Sequence, residues 1–151
     1  MIRLVGLLAL SVASFSCGSP LSPTELTRLA VSEQRWASRG FADYSIETLA
    51  SCFCPSELTT WARIEVVNGQ VHRATLLATG EVITDSRLAY WHTVEELFAS
   101  IRRANDDESL TDIRVSYDAT LGFPTSVTWI PEEGILDAGG SQTLRNAHAL
   151  P

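Results

Sequence analysis

The sequence predicts an α+β domain: a single antiparallel sheet of about five strands with two helices packed on one face. Three observations carry this. Two stretches open with capping boxes and continue at helical spacing. Asn68-Gly69 joins two strand-like runs as a two-residue hairpin turn. The order helix, strand, hairpin, helix, hairpin lacks the βαβ alternation that a parallel sheet needs.

Ser22-Pro23-Thr24-Glu25 supplies an N-cap, a proline at the first helical position and a glutamate three residues after the cap. Leu26, Leu29, Ala30, Trp36 and Ala37 then form one stripe, and Gly40 stops the helix. Asp43 to Cys54 reads as a strand with Tyr44, Ile46, Thr48, Ala50 and Cys52 on one face, ended by Pro55. Trp61–Val67 and Gln70–Ala78 flank the Asn68-Gly69 turn. Counting outwards pairs Val67 with Gln70, Val66 with Val71, and Glu65 with His72 as a surface ion pair. The next pair, Ile64 with Arg73, mixes apolar and charged, which a bulge would correct.

Thr79-Gly80 turns the chain into an irregular connection, Glu81–Trp91, with room for a short strand at Val82-Ile83 and an exposed aromatic pair, Tyr90-Trp91. Thr93-Val94-Glu95-Glu96 opens the second helix, whose Val94, Leu97, Phe98 and Ile101 share a face. Its two glutamates read as helix-start carboxylates, and Asp106-Asp107-Glu108 as a solvated turn. Leu110–Tyr117 alternates, with Ile113, Val115 and Tyr117 on one face. Asp118 to Pro124 connects it tightly to a last strand, Thr125–Ile130. Residues 137–151 read as a flexible tail.

The chain of 151 residues holds one domain, here 24–136. Residues 1–16 form a signal peptide: Met1-Ile2-Arg3 is a short positive start, and Leu4 to Ala13 an apolar run about half the length of a spanning helix. Ser14 and Ser16 precede Cys17, an arrangement that resembles the lipobox of bacterial lipoproteins. In those proteins the leader is cut before the cysteine, whose thiol receives diacylglycerol. Ser14 and Phe15 depart from that pattern, and Ser14 and Ser16 also suit ordinary signal peptidase. Residues 17–23 are then a lipidated tether, and more than one acyl chain would hold the domain at a membrane. The expected location is the cell envelope, outside the cytosol.

Eleven arginines and no lysine stand against 18 acidic residues, giving −7. This balance argues against nucleic acid as a partner. No Walker loop, dinucleotide fingerprint, zinc-spaced cluster or nucleophile elbow is present. His72, His92 and His148 are scattered. No catalytic residue, cofactor or metal is therefore assigned, and the chain reads as a non-enzyme.

Two stretches carry chemical content. Cys52 and Cys54 lie two residues apart, so in a strand both sulfurs share a face. A structural disulfide, an inert reduced pair, a thiol-redox pair and a soft-metal site all remain open. The loop so closed is short enough to add only about 1.6 kcal/mol. Tyr117 and Asp118 with Gly122, Phe123 and Pro124 form a structured turn that could also serve as a binding edge.

In sequence order, Trp36, Asp43-Tyr44, Cys52-Phe53-Cys54-Pro55, Asn68-Gly69, Thr79-Gly80, Thr93, Leu97-Phe98 and Tyr117-Asp118…Leu121-Gly122-Phe123-Pro124-Thr125 resemble the exported bacterial proteins of domain of unknown function 6174. The resemblance implies export, one compact domain and a Cys52–Cys54 pairing. It brings no activity with it. The expected role is a membrane-anchored envelope protein that binds or scaffolds another envelope protein or a small ligand. A redox or soft-metal role for the cysteine pair, and an inhibitor-type module offering the Asp118–Pro124 turn, are the alternatives.

Overall fold

The computed structural model describes residues 19–135 and 139–151; the leader and Cys17 lie outside the described residues. Helices α1 (Pro23–Ala37) and α2 (Val94–Ala104) both start on the expected capping boxes. Ser22 Oγ accepts from the Glu25 N–H while the Glu25 carboxylate accepts from the Ser22 N–H, and Thr93 and Glu96 repeat the exchange.

The strands are β1 (Tyr44–Ser51), β2 (Ala62–Val67), β3 (Gln70–Leu76), β4 (Val82–Ile83), β5 (Leu110–Tyr117), β6 (Pro124–Pro131) and β7 (Gly140–Ala149). They form one antiparallel sheet in the order β4-β3-β2-β1-β7-β6-β5. The α+β class with a single antiparallel sheet is as expected, but the sheet has seven strands where about five were predicted. The two additions are β4, a two-residue edge, and β7. The latter replaces the flexible tail expected over 137–151: residues 140–149 lie inside the sheet, between β1 and β6. Of its side chains only Leu144 is buried, so no apolar alternation marks it.

Both helices lie against the face that carries Tyr44, Ile46, Ile64, Val66, Ile113 and Val127, all fully buried. Leu29, Trp36, Leu97, Phe98 and Ile101 cover it. Each such side chain contributes about 1.5–3 kcal/mol by leaving water. The stripe of α1 is rotated from the expected one, with Leu29, Ser32 and Trp36 buried and Leu26 exposed. The β2–β3 hairpin turns on Asn68-Gly69, and a register shift after Glu65–Val66 brings Arg73 opposite Glu65, at 3.6 Å. The expected Glu65–His72 pair is thereby corrected: the bulge absorbs His72, which is exposed.

The turn after β5 seats α1. Asp118 Oδ1 accepts from the Thr120 and Leu121 N–H groups, and the chain reverses at Gly122 with φ +85°. A Cβ at Gly122 would collide with the Ser32 carbonyl and come within 2.9 Å of Arg35 Cβ. Gly122→Ala is therefore expected to lose about 2 kcal/mol or more, read as a lower urea midpoint; an unchanged midpoint would contradict this packing.

Candidate functional site

The C-terminal end of β1 and the N-terminal end of β7 meet at Ser51–Ser141, and Trp129 of β6 lies opposite Gly140. Leu110, the first residue of β5, faces Pro131. One end of the sheet thus gathers the ends of four strands. Beyond β1 the chain makes the Cys52-Phe53-Cys54 loop, closed by a disulfide between Cys52 and Cys54 with the Cα atoms 5.3 Å apart. Leu58 N–H donates to Pro55 O and Ala50 N–H to Leu58 O, so the segment folds back onto the strand. Phe53 between the cysteines is 100% exposed. The disulfide-closed loop thus presents a large apolar group wholly to water. With each sulfur bonded to the other, neither is free as a metal ligand in this state.

Behind the loop lies a cavity of about 190 Å³ on the helix-bearing side of the sheet. Thr48, Ala50 and Gln142 line it from the sheet, with Trp129 of β6, Cys52 and Leu58, and Tyr90, Trp91 and His92 around them. Gly140 lies close to the end of β1: a Cβ there would sit 3.0 Å from Ser51 O and 3.4 Å from Cys52 Cβ. Gln142 Nε2 donates to Thr48 Oγ1 at 3.1 Å, and among the described residues no Asp, Glu or Arg lines the cavity. Of the expected exposed pair, Tyr90 is exposed and Trp91 is buried.

The polypeptide enters at this same end. Ser19 and Pro20 border a shallow depression with Asn105, Leu110, Thr111 and Glu132, and the Leu21 N–H donates to Asn105 Oδ1. From β5 to β1 is three strand spacings, about 14 Å.

The expected binding turn lies at the opposite end of β5. Gly122, Phe123 and Pro124 are buried, with Phe123 against Trp36, while Tyr117 and Asp118 are partly exposed. Tyr117 stacks on Phe98, and burial pushes its phenol up to about 12.

Two further polar clusters were not legible in the sequence. Glu95 does more than start a helix: it accepts from Trp36 Nε1, Arg39 Nη2 and the Tyr44 hydroxyl, while Tyr44 Oη accepts from the Val94 N–H. Burial, and then the Glu95 carboxylate, push the Tyr44 phenol well above its usual range. On the other face of the sheet, the buried Glu47 accepts from Arg63 on β2 and from Arg145 and Asn146 on β7. Arg145 lies flat over Trp61, 3.7 Å from the ring centroid. Asn146 takes φ +56°, a conformation asparagine tolerates. Ser45 and His148 make a second contact between β1 and β7 on that face, 3.1 Å apart.

The model of the Family of unknown function (DUF6174) matches residues 28–149, from within α1 to the last residue of β7. This chain belongs to that family. Comparison with curated proteins and with solved structures returns no match. The span of the DUF6174 match counts β7 as part of the family's unit, in keeping with its place inside the sheet.

The Arg63 hydrogen bond, ahead of those from Arg145 and Asn146, holds the Glu47 carboxyl below its ordinary value of 4.5. A depressed folded-state pKa gives stability that is present above about 4.5 and lost as the pH falls through the lower, folded value. Urea unfolding at pH 7, 5 and 3 should show Glu47→Gln less stable at pH 7 but with a shallower decline on acidification. A decline parallel to the wild type would contradict the assignment.

Proposed function

We propose that this DUF6174 chain is an exported envelope lipoprotein, tied to a membrane through Cys17, whose domain works by binding rather than by catalysis. Its recognition element is the disulfide-closed Cys52–Cys54 loop with the cavity behind it. The observation that carries this reading is Phe53. A fully exposed phenylalanine is costly in water, and here it sits in a covalent ring whose Cys52 lines an aromatic cavity. Aromatic groups presented on a pre-ordered loop are favoured as contact residues because little conformational freedom is lost on binding.

The position of the chain's entry supports the anchoring half of the proposal. Cys17 precedes Ser19 by two residues, at most about 7 Å of extended chain. A lipid there would hold the Ser19 end of the sheet, which is also the Phe53 end, near the bilayer. Among the described residues no helix is long and apolar enough to cross a membrane, so in this reading the attachment is the acyl chains.

Mass spectrometry of the mature protein is expected to find Cys17 as the first residue, carrying acyl groups, and a two-hydrogen deficit from the Cys52–Cys54 bond. Cys17→Ser should move the protein from the membrane to the soluble fraction with its thermal midpoint unchanged. An intact Met1, or membrane retention of the Cys17→Ser variant, would contradict the proposal.

A further inference from the structure

We infer that the cavity behind the Cys52–Cys54 loop is a subsite for one uncharged pyranose ring, an inference that rests on the binding function proposed above and names its ligand. Size comes first. A cavity of about 190 Å³ has room for about six waters, or for a single six-membered ring with small substituents. Charge comes second. Among the described residues no Asp, Glu or Arg lines the cavity. An ionised ligand would lose hydration there with none of these to pair it, which favours an uncharged one.

The lining then separates a sugar from a plain hydrocarbon. Tyr90, Trp91 and Trp129 offer aromatic surface, and the negative face of such a ring attracts polarised C–H groups like those on the axial face of a pyranose. The lining also has polar groups. Thr48, only 4% exposed, accepts from Gln142 Nε2, which leaves its own hydroxyl proton and the Gln142 carbonyl oxygen facing other partners. His92 also lines the cavity. A purely apolar occupant would cover these groups without hydrogen bonds, a penalty that hydroxyls on the edge of a sugar avoid. One apolar face and one hydrogen-bonding edge is the amphipathic character of a neutral pyranose.

The test uses the full chain in detergent, titrated with N-acetylglucosamine and with its β-linked tetramer while tryptophan emission is followed. Trp91 and Trp129 line the cavity and report on it directly. A saturable change with a dissociation constant on the order of millimolar is expected for the single sugar. Binding of the tetramer at least about tenfold tighter would identify a polymer as the source, and equal binding a free monosaccharide. Tyr90→Ala, at an exposed position that folding tolerates, and Gln142→Leu should each weaken binding at least fivefold at an unchanged thermal midpoint. Indole, which emits where tryptophan does, is titrated in parallel by calorimetry. Saturation by indole with none by either saccharide would overturn the pyranose assignment and leave the binding function standing. Saturation by none of the three would overturn both.

Discussion

The sheet is continuous because its last strand lies in the middle. β4, β3, β2 and β1 form one half, β5 and β6 the other, and β7 hydrogen-bonds to both. Without it the hydrophobic face would be cut in two beneath the helices. The Glu47 cluster reinforces this junction from the opposite face. One buried carboxylate takes Arg63 from β2 on one side and Arg145 with Asn146 from β7 on the other, so three adjacent strands share a single charge centre. Its value depends on all three donors being present, since an unpartnered buried carboxylate destabilises the fold.

The same strand builds the candidate site. Gly140 lets β7 pass against Ser51 and Cys52, and Gln142 two residues on turns its amide into the cavity. Strands therefore position Thr48, Ala50, Trp129 and Gln142, and the disulfide constrains Cys52 beside them. At the far end, the Trp36–Arg39–Tyr44–Glu95 network ties α1, β1 and α2 together, with Arg39 stacked 4.2 Å from the Trp36 ring. The molecule thus divides into an end whose aromatics are packed and hydrogen-bonded to one another and an end that leaves Phe53 and Tyr90 in water.

Local signals were legible and long-range ones were not. Both capping boxes, the Asn68-Gly69 turn and the amphipathic face of α2 are short-range patterns, and each forms as read. β7 escaped because Gly-Gly-Ser-Gln-Thr at its start has little β-propensity; the neighbouring strands, not its own side chains, hold it in place. Glu95 escaped because a glutamate in a first helical turn already has a sufficient local explanation. The cysteine spacing allowed a bond, but that Phe53 would stand in open solvent depends on the chain folding back from Pro55 to Leu58. The cavity draws on β1, β6, β7 and the segment before α2, and no pattern along the chain unites those residues.

In the proposed function the protein acts by contact at the end of the sheet that carries Phe53. The most direct measurement is photo-crosslinking in cells that produce the full chain, with a photoreactive residue at position 53 or at Gln70, an exposed position near the opposite end. Discrete adducts from position 53 and none from position 70 are the predicted result. Equal labelling from both, or none from position 53, would contradict it.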